Sequence, residues 1–185
     1  MQDYDYKQVL NSYTYAGDEE IIDRIKACTG ENERENRDII NSIVLWKVNR
    51  QVNIGEIFHK VKKLNVVDYN DFLEKETKVK DIVGEILQVD GVRIAMASTI
   101  LKMFYPNVFP IIDQRAYREL YGDKMPQLTG KKSIEHWKEA YVKYVKDCHK
   151  YYLDNCNNQI AFSALDKVLY QIDKKKGGNE NLKGY

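Results

Sequence analysis

At 185 residues the chain is long enough to bury a substantial core, and its net charge of +1, 29 Lys and Arg against 28 Asp and Glu, argues against an indiscriminate polyanion binder. It contains no apolar run long enough to span a bilayer, and its acidic, aromatic start (Met1-Gln2-Asp3-Tyr4) does not read as a signal peptide. With three cysteines, Cys28, Cys148 and Cys156, best read as reduced thiols, these features predict a cytoplasmic protein without a membrane partner.

The periodicity predicts a mainly all-α fold. Tyr4 to Tyr15 is the one stretch that offers a strand. Asp18 to Cys28 reads as a short amphipathic helix stopped by Thr29-Gly30. Asn36 to Arg50 reads as a second helix, with Ile39, Ile40, Ile43, Val44 and Val48 on its apolar side. Helices follow over Gly55 to Leu64 and Tyr69 to Glu76. Val79, Ile82, Val83, Ile86 and Leu87 form an apolar stripe that stops at Asp90-Gly91, and a second stripe, Ile94, Ala97, Ile100, Leu101 and Phe104, starts at once. A helix opens at Asp113, and Pro126, Thr129 and Gly130 mark a loop. Helices over Ser133 to Leu153 and Gln159 to Lys174 complete the pattern. Residues 1 to 174 are expected to form one helical domain, with 175 to 185 a polar, disordered tail.

The junction at Gly91 carries the most information. Two helices joined by so short a turn need positive φ at the glycine, and the N–H groups that open the second helix point outward, where a phosphate can accept from them. Such a grip holds a nucleic-acid backbone without reading its sequence. From Val89 to Arg118 the cations Arg93, Lys102, Arg115 and Arg118 outnumber the anions Asp90 and Asp113, so the neutral chain has a locally basic segment.

The segment Val89-Asp90-Gly91-Val92-Arg93, the small residues Ala95, Ala97 and Ser98, the prolines Pro106 and Pro110, and Ile111-Ile112-Asp113 resemble the helix-hairpin-helix DNA glycosylase superfamily of the endonuclease III and adenine glycosylase type. The resemblance covers about residues 78 to 121, with a weaker extension to Ile43 to Arg50. The family hairpin is Leu-Pro-Gly-Val-Gly, with the lyase Lys, where present, two positions on and the catalytic Asp eighteen beyond it. In this chain Ala95 takes the Lys position, and Asp113 lies eighteen residues later. The resemblance implies a helical fold with a cleft between two lobes and a monomer acting on double-stranded DNA that contains a modified base. It assigns DNA contacts to Gly91, Val92, Arg93, Ala95, Gln114 and Arg115, and to Lys47, Asn49 and Arg50 at the end of the second helix.

Three departures refine what it implies. Arg93 replaces the second hairpin glycine, which adds a bulky cation at the turn. Ala95 removes the amine that would attack the sugar and form a Schiff base, so a lyase step through that position is excluded, with Lys47 left open as a surrogate. Three scattered cysteines cannot supply the iron–sulfur cluster of many relatives, and His59, His136 and His149 lie on separate helices, so no metal site is expected. A monovalent cation at the hairpin is the one cofactor left open.

The expected activity is therefore monofunctional hydrolysis of an N-glycosidic bond, in base excision repair or in defence against phage with modified DNA. Asp113 would stabilise the oxocarbenium-like sugar as the base leaves. Other readings stay open. Asp113 is equally suited to capping a helix, which would make the chain a non-catalytic helix-hairpin-helix DNA-binding module. Trp46 serves either as a stacking residue or as core, and a helical protein-interaction domain is a third possibility.

Overall fold

The computed structural model describes residues 18–47, 55–128, 131–156 and 159–176. These are helical, with no strand among them; the candidate strand at Tyr4 to Tyr15 and the tail beyond Lys176 lie outside the described residues. The chain divides into two units, Met1–Val52 and Asn53–Tyr185. No described helix is long and apolar enough to cross a membrane.

The first unit holds α1 (Asp18–Ala27) and α2 (Glu33–Lys47), which pack together through the buried Ile21 and Ile39. Helix α2 begins three residues before the expected Asn36 because Asn32 caps it: its Oδ1 accepts from the backbone N–H of Arg34 at 3.1 Å and of Glu35 at 3.3 Å. Ile40 and Val44, expected on the apolar side, are exposed.

The second unit holds α3 (Gly55–Leu64), α4 (Tyr69–Glu74), α5 (Glu76–Leu87), α6 (Ile94–Phe104), α7 (Gln114–Tyr121), α8 (Lys131–Asn155), a 3₁₀ turn (Phe162–Ala164) and α9 (Leu165–Lys175). The single helix expected over Tyr69 to Glu76 is instead α4, which a break at Lys75 separates from α5. A reciprocal cap starts α4, with Asp68 accepting from the Asp71 N–H at 3.0 Å and Asp71 from the Val67 N–H at 2.8 Å. The last helix begins at Leu165 rather than Gln159, since a turn at Gln159–Ile160 and the 3₁₀ segment intervene.

The 25-residue α8 is the spine of this unit. Tyr141, Val142, Tyr144, Val145 and Cys148 recur at helical spacing along it and are buried, meeting a core that includes Val79, Val83 and Ile86 of α5, Ala97 and Leu101 of α6, and Leu165 and Leu169 of α9. Each of the Val, Ile and Leu side chains among them contributes roughly 1.5–3 kcal/mol on burial. The principal helix pairs are α5 with α8 and α7 with α9. The hydroxyl of Tyr105, just after α6, sits 2.7 Å from the Val61 carbonyl and accepts from the Asn65 N–H at 2.9 Å, which fixes the end of α3 to the end of α6.

Candidate functional site

The turn between α5 and α6 forms as the sequence predicts. Val92 N–H donates to the Val89 carbonyl at 3.0 Å, closing a four-residue turn with Gly91 at φ +79°. A Cβ on Gly91 would meet nothing within 4 Å, so glycine is required by backbone conformation and not by space. Arg93 is tolerated in place of a second glycine because its φ of −112° is ordinary extended backbone.

The N–H groups of Gly91, Arg93, Ile94, Ala95 and Met96 have no hydrogen-bond partner among the described residues, and no side chain caps α6. Unclaimed donors at a helix N-terminus suit an anion. Val92 departs from its expected role as a phosphate contact: its N–H is consumed by the turn, and its side chain is 7% exposed in the wall of a cavity. Arg93 is exposed and makes no ion pair among the described residues, while the turn also exposes the carboxylate of Asp90.

The other three cations of the basic segment are committed elsewhere. Lys102 is 6% exposed, pairs with Asp166 at 3.2 Å and donates to the Ser163 carbonyl at 2.9 Å. Arg115 reaches Asp173 at 3.2 Å and lies over the Tyr170 ring; Arg118 binds the same carboxylate through Nε at 2.6 Å and Nη2 at 2.8 Å. These side chains join α6 and α7 to α9; Lys102 has Asp166 as its counter-ion, and the two arginines share Asp173. The basic segment read from the sequence is therefore reduced, at the hairpin, to Arg93 and the backbone donors.

Asp113 is the N-cap of α7, and Gly122, at φ +71°, closes that helix. One carboxylate oxygen, Oδ1, accepts from the N–H groups of Arg115 and Ala116, each at 2.8 Å; Oδ2 has no partner among the described residues. Burial pushes the Asp113 carboxyl above the ordinary carboxylate range, with a smaller push from Asp166, while the two N–H donors and the Arg115 charge oppose it.

The segment leading to Asp113 is held by four side chains from three helices. Tyr141 donates to the Pro110 carbonyl and Tyr144 to the Ile111 carbonyl, both at 3.0 Å. Asp166 accepts from the Ile111 N–H at 2.9 Å, and Ser98 Oγ accepts from the Ile112 N–H at 3.1 Å. A carboxylate delivered on a backbone pinned at successive polar groups keeps its geometry when a substrate arrives. Sequence reading singled out Ser98 only as a small residue of the helix and missed the other three. Their only signal was polar atoms at positions that the apolar periodicity assigns to the core.

A cavity of about 310 Å³ opens beside this site. Its wall contains Val92, Arg93 and Ala95 from the hairpin, Gln114 next to the carboxylate, and Pro126 and Trp137 across from them. It is lined by residues of the second unit. Of the remaining expected contacts, Lys47 ends α2 with its side chain outside the described residues, as are Asn49 and Arg50; Trp46 is half-buried. Among the described residues no group of His, Cys, Asp and Glu is arranged to hold a metal ion, and all three cysteines are free thiols. Comparison with protein families, with characterised proteins and with solved structures returns no match for this chain.

Proposed function

We propose that the chain is a monofunctional DNA N-glycosylase with a helix-hairpin-helix fold, which extrudes a modified or mispaired base and hydrolyses its bond to the sugar. The observation that carries this reading is one cavity lined both by Val92, Arg93 and Ala95 of a hairpin with unclaimed N–H donors and by Gln114, the neighbour in sequence of a pinned carboxylate with one free oxygen. Gly91, Arg93 and the first turn of α6 would hold a phosphate beside the target nucleotide. Extrusion costs a few kcal/mol in unstacking, which these contacts offset.

As the bond from C1′ to the base nitrogen breaks, its electron pair leaves with the base and the sugar gains positive charge, which the Asp113 carboxylate stabilises. Water then adds to C1′, its proton passes to Asp113 or solvent, and an abasic site remains. Ala95 lines the cavity where an amine would be needed for strand cleavage, which supports hydrolysis alone.

The second reading, a non-catalytic DNA-binding module, draws on the two N–H bonds at Asp113 Oδ1, since capping α7 is a sufficient structural role. Abasic-site formation separates the two. We expect strand breaks in lesion-containing duplexes only after alkali, and none with Asp113→Asn; breaks without alkali would contradict the monofunctional assignment.

A further inference from the structure

The composition of the cavity wall specifies the charge of the base that enters it. Resting on the glycosylase reading, we propose that the cavity accepts a neutral base with adjacent hydrogen-bond donor and acceptor atoms, selected by Gln114, and rejects bases that carry a fixed positive charge, such as purines alkylated on a ring nitrogen.

At about 310 Å³ the cavity is at the small end of ligand pockets, suited to one heterocycle rather than a larger group. Leu87, Val92, Ile134 and Trp137 make much of its wall apolar, so a cation entering it loses hydration and needs a counter-charge. None lines the wall: among the described lining residues there is no carboxylate, and the single charged side chain, Arg93, has the repelling sign.

Asp113 adjoins the wall without lining it, and in the glycosylase reading its charge is engaged by the sugar. Two glutamines line the wall, and the half-buried Gln114, rather than the exposed Gln127, supplies the matching polar feature. Its half-buried side-chain amide has no hydrogen-bond partner among the described residues, and it offers a carbonyl acceptor beside an NH₂ donor. That pair complements a donor and acceptor on adjoining atoms of a base edge, in the bidentate manner by which glutamine reads bases.

The test reads binding apart from catalysis. Free uracil and hypoxanthine are titrated against the 1-methylnicotinamide cation, a planar probe of similar size, following the fluorescence change that Trp137→Phe abolishes. Ligand-observed NMR on the wild-type chain ranks the same probes without altering the wall. We expect the neutral bases to bind at least tenfold more tightly than the cation. Gln114→Leu should weaken neutral-base binding by at least tenfold, and Arg93→Gln should narrow the gap to the cation.

Equal or tighter binding of the cation, or no binding of either neutral base, overturns the inference. Neutral-base selectivity without base release from any DNA would defeat the glycosylase reading alone. Base release from DNA together with a cavity that prefers the cation would defeat this inference alone.

Discussion

Ser98→Ala and Thr99→Ala form a matched pair that tests whether the approach to Asp113 is held as described. Both hydroxyls donate to the Ala95 carbonyl, at 2.9 and 2.8 Å, and only Ser98 also accepts from the buried Ile112 N–H. Loss of the Ala95 bond and the small gain in helix propensity are common to both variants and cancel in the comparison. What remains is one buried amide without an acceptor, which costs about 1–3 kcal/mol. For a chain of this size each kcal/mol lowers the melting midpoint by roughly 2–4 °C, so Ser98→Ala should melt roughly 2–12 °C below Thr99→Ala. Thermal unfolding followed by circular dichroism measures the difference. Hydrogen exchange at the Ile112 amide should accelerate in Ser98→Ala alone. Equal midpoints with unchanged Ile112 exchange would refute the pinned approach.

Other predictions concern the charges. Arg93→Ala should weaken DNA binding and reduce the slope of log K against log salt by about 1, whereas Arg115→Ala, whose guanidinium is already bound to Asp173, should lower stability with the slope unchanged; filter binding across a salt series reads both. Lys102→Ala leaves Asp166 buried without its counter-ion, held only by backbone N–H groups, and should cost about 3–5 kcal/mol in denaturant unfolding. Because the folded-state pKa of Asp113 is raised, ionisation there opposes folding, and stability falls as pH rises from the ordinary carboxylate value through the raised one. Asp113→Asn, which retains a capping oxygen, should thus melt at or above wild type at neutral pH, with the gap closing in acid; a lower midpoint at neutral pH would contradict this. Asp173 has the opposite sign: its hydrogen bond from Arg118 lowers its pKa, so its contribution is present above the ordinary carboxylate value and lost as pH falls through the lowered one.

The parts of the fold that were legible in the sequence are those fixed by local chemistry. Gly91 between two apolar stripes defines a helix pair because only a positive-φ residue closes so short a turn, and the register of Asp113 follows from it. The break at Lys75 was not legible, since neither Gly nor Pro marks it. The roles of Lys102 and Arg115 were also hidden, because their partners Asp166 and Asp173 are distant in sequence and become neighbours only when α9 packs on α6 and α7. A surface cation and a buried, paired one look identical in a sequence. Val92 was misread for the related reason that which N–H groups remain free in a turn depends on its hydrogen bonding, here the bond to Val89.

The central claim is that the free oxygen of Asp113 takes part in bond cleavage. Its most direct test is mass-spectrometric detection of free bases after wild type and Asp113→Asn are incubated with damaged, mismatched and phage-modified DNA, with binding of each duplex measured in parallel. The account predicts release of a base by the wild type, and a variant that binds the same DNA and releases none. Equal release by the two proteins, or salt-dependent binding without release from any duplex, would contradict it.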